Sequence, residues 1–124
     1  MPDAAVFLSL RIDLAAGGRI GPGKIALLES VAMHGSISAA ARTLGMSYKR
    51  GWDLIEEMGH IMGAPMVAAQ AGGKQGGGAK LTAAGQRAVD RFRAVENAAA
   101  GAAAPFLAEL KAEIAAGQSL ARST

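Results

Sequence analysis

GSISAAARTLGMSYKRGWDLIEEMGHIM, residues 35–62, reads as two short helices joined by a tight turn. Ile37, Ala40, Ala41 and Leu44 recur at i, i+3, i+4 and i+7, the spacing that lines apolar side chains along one helical face. Ser36 or Ser38 can accept hydrogen bonds from the first free amides of that helix, and Gly45 stands where a left-handed residue ends it. Ser47 then opens a second helix, with an expected buried face of Tyr48, Trp52, Ile55, Met58 or Gly59, and Met62. Its other face begins with Ser47, Lys49 and Arg50. Two helices joined by a short glycine-containing turn, the second led by polar and basic side chains, form the helix-turn-helix pattern.

Working outward toward the amino end, residues 24–34 place Ile25, Leu28 and Val31 or Ala32 at helical spacing, with Leu27 widening the stripe. This predicts a scaffold helix behind the pair, closed by Gly35. Before it, residues 15–23, AAGGRIGPG, hold four glycines and a proline and predict a turn. Val6, Leu8, Leu10, Ile12 and Leu14 alternate with a mostly polar odd face, the pattern of a half-buried strand over 6–14.

Toward the carboxyl end, Gly63-Ala64-Pro65 stops the second helix, because proline disfavours helix in the residue before it. Residues 66–70 and 79–81 predict two short strands around AGGKQGGG, which has five glycines in eight residues. Directly after a helix-turn-helix, such a hairpin is the wing of a winged helix; the plainer reading is a flexible linker. A phosphate-binding loop fits worse, since Lys74 is followed by glutamine and the GxxxxGK[ST] spacing is absent. Thr82 is placed to cap a long final helix. Val89, Phe92 and Val95 form its first apolar stripe, and Phe106, Leu107, Leu110 and Ile114 a second, with a kink or new start at Pro105. The expected organisation is a DNA-binding domain over 1–82, a helical dimerisation arm over 83–116 and a frayed tail over 117–124. Val89, Phe92, Val95, Phe106 and Leu110 are its expected dimer contacts. The fold class is therefore mainly α with a small β wing.

Composition narrows the function. A chain of 124 residues with 51% hydrophobic residues but only 4% aromatic predicts one small helical core, and the net charge of +3 is compatible with an anionic partner without requiring one. Without cysteine there is no disulfide, thiolate metal site or cysteine nucleophile, and two histidines outside any HExxH run make a poor zinc site. No catalytic set is visible, so no enzyme activity, cofactor or metal is expected. The opening apolar run is broken by Arg11 and Asp13 and lacks a basic leader; neither a signal peptide nor a membrane span is expected, which places the chain in the cytoplasm.

In a helix-turn-helix the amino end of the second helix enters the major groove, where side chains distinguish base pairs. Ser47, Lys49 and Arg50 fit that place, and Tyr48 either bonds a phosphate or braces the core. The alternative is a solvated face in which Asp53 pairs with Lys49 or Arg50. Trp52 is expected as a core anchor. Ser36 and Ser38 can hold a phosphate or simply cap their helix. Lys74 and Gln75 fall at the tip of the glycine loop, and Lys80 adds a further phosphate contact.

GSIS, GMSYK, WDLI and GGKQGGGAKLTAAG, taken together, closely resemble the amino-terminal DNA-binding domain of the ModE family of molybdenum-dependent transcriptional regulators, and more distantly the LysR-type winged helix. The resemblance runs from about residue 20 to 93. It implies a dimeric winged helix on a palindromic operator, with Ser47, Tyr48, Lys49 and Arg50 in the reading position and Lys74 in the wing. Two departures follow from the same resemblance. Met66-Val67-Ala68-Ala69-Gln70 lacks the acidic residue and arginine usual before the wing, and the chain ends before the molybdate-binding domains of full-length members. The expectation is a DNA-binding regulator without direct molybdate sensing, which represses constitutively, responds through a separate effector-sensing partner, or responds to another signal. The competing expectation is a protein–protein interaction module on the same scaffold.

Overall fold

A computed structural model describes residues 5–70 and 78–123. It divides into two compact units, one spanning Leu10–Arg93 and the other formed by described residues 5–9 and 94–123. In the first, β1 (Ile12–Asp13) and β2 (Arg19–Ile20) make a short antiparallel hairpin, followed by α1 (Pro22–His34), α2 (Ile37–Thr43) and α3 (Tyr48–Met62). Strands β3 (Val67–Gln70) and β4 (Gly78–Leu81) then pair antiparallel, with Val67 opposite Leu81 and Gln70 opposite Gly78. Helix α4 (Ala83–Ser123) begins in this unit and continues into the other. No helix among the described residues is long and apolar enough to cross a membrane.

Local chemistry sets the helix ends. Pro22 occupies the first turn of α1, where its missing N–H leaves no hydrogen bond unmade. Ser36 caps α2 by accepting from the Ala39 amide at 3.1 Å. At the other end of α2, Gly45 adopts φ +72°, and the Met46 and Gly45 amides donate to the Ala41 and Arg42 carbonyls at 3.0 Å each. This is the glycine-dependent Schellman closure, and it makes the turn between α2 and α3 tight.

The core joins α1, α2, α3, β4 and α4, while the β1–β2 hairpin and β3 pack on its edge through Ile12, Ile20 and Val67. Helix α1 supplies Ile25, Leu27, Leu28 and Val31, all within 1% of full burial, and packs against α2, α3 and β4. Ala40, Ile55, Met58, Met66 and Ala79 close around it, and Ala88, Val89 and Phe92 of α4 complete it. Val89 and Phe92 are 5% and 3% exposed, so these two expected dimer contacts are instead spent inside the core of the chain itself. The compact unit accordingly extends past residue 82 to Arg93, whose guanidinium is held by Glu29 of α1, with Nε donating to Oε2 at 3.1 Å.

Three further expectations change. Only two residues of the predicted 6–14 strand pair, because the turn in which Leu14 donates to the Gly18 carbonyl brings back a partner, β2, of only two residues. Trp52 is 45% exposed and Tyr48 54%; the buried line of α3 is Gly51, Ile55 and Met58. Helix α4 neither stops nor restarts at Pro105 and runs on through the expected tail to Ser123. Ala102–Ala104 before Pro105 and Leu107 and Ala108 after it are strong helix formers, which favours a helix that continues past the proline.

The start of α4 is fixed by Thr82, whose hydroxyl accepts from the Gly85 amide at 3.0 Å and donates to the Pro65 carbonyl at 2.6 Å. Gly85 lies so close to the Met66 carbonyl that an added Cβ has no room against backbone. Gly85→Ala is therefore expected to lower the urea midpoint by the equivalent of about 1–3 kcal/mol with an unchanged m-value.

Candidate nucleic-acid interface

The surface around the amino end of α3 is built from three local decisions. Ser47 caps α3, its hydroxyl accepting from the Arg50 amide at 3.1 Å, so the helix starts one residue after the turn and its first turn carries Tyr48, Lys49 and Arg50. The buried side of that turn is Gly51, where a Cβ would meet the Ala41 Cβ at 3.0 Å. With the glycine face inward, the three side chains that precede it are turned out, and all three are exposed.

They point to different neighbours. Tyr48 shares a shallow slot of about 270 Å³ with Ser36, Ile37 and Ser38 at the start of α2 and with Gly78 and Ala79 of β4. That slot exists because the Ala79 amide donates to the Gly35 carbonyl at 2.8 Å, which fastens the β3–β4 hairpin beside the α2 cap. Lys49 stands at the crest, its side chain 84% exposed, with Nζ 3.0 Å from the Asp53 carboxylate one turn on. A solvent-accessible i,i+4 pair of this kind is weak and exchanges readily for another anion. Arg50 lies on the opposite flank from Tyr48, in a cleft with Arg11 and Arg19 of the β1–β2 hairpin.

Of the residues expected at this surface, Ser36, Ser38 and Tyr48 are therefore brought together, while Lys49 and Arg50 share their helix turn with Tyr48. Ser47 and Ser36 are engaged as caps, each hydroxyl retaining its own proton to donate. Lys80 is exposed on β4 opposite Ala68. Lys74 and Gln75 lie outside the described residues. Of the acidic residues of α3, Asp53 is turned to Lys49, and Glu57 to Lys24 Nζ at 2.9 Å. Among the described residues no cluster of histidine, aspartate or glutamate is arranged to hold a metal.

Residues 23–86, from the first turn of α1 to the start of α4, match the bacterial regulatory helix-turn-helix proteins of the lysR family. The chain belongs to this family. The chain is also similar to curated proteins of larger size. It is 43% identical over 110 residues to the molybdenum-pterin-binding protein MopB of Rhodobacter capsulatus, a match covering 86% of this chain and 41% of that one. Against the molybdenum transport protein ModE of Azotobacter vinelandii it is 40% identical over 87 residues, covering 70% and 32%. Against the DNA-binding transcriptional dual regulator ModE of Escherichia coli K12 it is 45% identical over 71 residues, covering 57% and 27%. The chain spans well under half the length of each of these relatives.

Two features of this lysR-type surface escape sequence reading. Trp52 joins Tyr48 in the open because Gly51, which carries no hydrophobicity signal, takes the inward position. Arg11 and Arg19 reach the first turn of α3 only through the tertiary fold. No periodicity links a residue before α1 to one thirty positions later. Because Ser47 sets where α3 begins, Ser47→Ala is expected to cost about 1 kcal/mol of stability in chemical denaturation, and Ser47→Gly only a few tenths.

Proposed function

We propose that the chain is a sequence-specific DNA-binding module of a transcriptional regulator, which inserts the first turn of α3 into the major groove. The observation that carries this reading is the arrangement around Lys49: an uncovered basic turn, 84% exposed at that residue, beside an α2 cap and a β hairpin, within a family-matched helix-turn-helix. Lys49 meets the base edges, and the Asp53 pairing breaks as phosphates and bases replace it. Tyr48, Ser36 and Ser38 line the slot that receives one backbone, with hydroxyls donating to phosphate oxygens. Lys80 adds a long-range contact from β4. The relatives named for molybdenum-pterin binding, molybdenum transport and DNA-binding transcriptional regulation support a role in a transcriptional response to molybdenum, with the effector sensed outside residues 1–124.

The module acts as a homodimer on a palindromic site, with half-sites about 34 Å apart, the span of one helical turn. Val95, Phe106 and Leu110 of α4 are 44%, 68% and 49% exposed, and Ile114 extends the stripe, so an apolar face of the helix is left for a second copy. Replacing Phe106 and Leu110 together by glutamate is expected to give a monomer by light scattering at micromolar concentration. A double variant that leaves the native mass unchanged at every concentration refutes the assigned seam.

The DNA reading is tested by selecting bound duplexes from a random pool and measuring the selected and an arbitrary duplex in rising salt. Lys49→Ala is expected to lower affinity for the selected duplex by about 1–3 kcal/mol and to narrow its advantage over the arbitrary one. A protein that enriches no sequence and binds neither duplex is an interaction module instead.

A further inference from the structure

The first turn of α3 has two flanks, and the β3–β4 hairpin serves only the one with Tyr48. On the other, the β1–β2 hairpin, the start of α1 and α3 enclose a cleft of about 230 Å³ walled by Arg11, Arg19, Lys24 and Arg50, with Met46 and Leu54 as apolar lining. Two of these cations are already balanced. Arg11 Nε is 2.8 Å from the Asp13 carboxylate, and Lys24, 9% exposed, holds Glu57 at 2.9 Å. Arg19 and Arg50 have no carboxylate within ion-pair distance among the described residues. Two guanidinium groups that wall the same cleft repel each other, and an anion placed between them relieves that repulsion. Guanidinium suits the task, since its fork of donors matches two oxygens of one phosphate.

The anion is identified by where the cleft lies. The major groove is about 12 Å wide and bounded on each side by a phosphate backbone. A helix turn inserted there has one backbone along each flank. The slot with Ser36, Ser38 and Tyr48 meets one of them, and Arg50, in the same helix turn, carries the cleft to the other. We propose that the Arg11–Arg19–Arg50 cleft receives a backbone phosphate of duplex DNA, which makes the β1–β2 hairpin a second backbone-gripping element across α3 from the wing. This rests on the DNA-binding reading above. The hairpin is positioned without the Arg19 side chain, because Lys24 Nζ donates to the Arg19 main-chain carbonyl at 2.7 Å.

The test compares the native chain with Arg19→Ala and Arg19→Lys, on a duplex selected from a random pool and an arbitrary duplex of equal length, across about 50–200 mM salt. Loss of one phosphate contact is expected to reduce the slope of log affinity against log salt by about 0.9 and to weaken both duplexes about eightfold near 0.1 M salt. The ratio between the two duplexes stays unchanged, and Arg19→Lys recovers most of the slope. Should Arg19→Ala fail to fold, Arg19→Gln, which keeps much of the side-chain stem, gives the same reading. Identical slopes for native and variant overturn the cleft assignment and leave the DNA-binding reading standing. A native chain that binds neither duplex overturns both. Inorganic phosphate provides the last arm: if it binds the native chain in an Arg19-dependent way while DNA affinity is indifferent to Arg19, the cleft is a free-anion site and the DNA assignment falls.

Discussion

The close approach of Gly51 to Ala41 is the contact on which the rest of the surface depends. An added Cβ at Gly51 would sit 3.0 Å from that of Ala41, closer than two side chains pack at rest. The glycine lets α3 settle against α2 with the line Gly51, Ile55 and Met58 inward. Rotating α3 to bury Tyr48 and Trp52 instead would bring two large rings to a place where even a Cβ meets Ala41 at 3.0 Å. The inward face is therefore chosen by volume as well as by hydrophobicity, which is why two aromatic residues stand outside while a glycine is buried. From that rotation follows the outward direction of Tyr48, Lys49 and Arg50, and with it the chemistry the surface can perform.

Electrostatics then separates the residues that hold the fold from those left for a ligand. Lys24 is buried and engaged on both sides, by the Arg19 carbonyl and by Glu57. Arg93 ties α4 to Glu29 of α1. Lys24 thereby joins α1 to the β1–β2 hairpin and α3, and Arg93 joins α4 to α1. Lys49 is paired only with a neighbour on its own helix, at an exposure where water and salt screen the attraction. Arg19 and Arg50 are exposed and have no carboxylate partner among the described residues. Arg19, Lys49 and Arg50 thus place exposed positive charge around the first turn of α3, although the net charge of the whole chain is only +3.

Much of this was legible from the amino acids alone, wherever the governing interaction is local. The spacing of Ile37, Ala40 and Ala41, the caps Ser36, Ser47 and Thr82, and the left-handed Gly45 act over a single helical turn. The pairing of 66–70 with 79–81, observed as β3 and β4, spans a longer stretch but still joins strands that are neighbours in sequence. Each expresses a preference of the backbone or of an adjacent side chain, and such preferences survive translation from sequence to structure. The scaffold helix, the two helices that follow it and the wing strands were therefore placed correctly.

What only the tertiary structure decided is which of several adequate apolar faces turns inward and what distant parts meet. Val89 and Phe92 have the same periodicity as Phe106 and Leu110, yet the first pair fills the space left by α1 and the wing while the second stays exposed. Periodicity measures how amphipathic a helix is, not what is opposite it. The meeting of Arg11 and Arg19 with Arg50 is of the same kind, since it depends on how the β1–β2 hairpin lies against α1 and α3. Sequence determined the elements because their energies are local; packing determined the faces and the cleft, because excluded volume and charge act between residues that only the folded chain brings together.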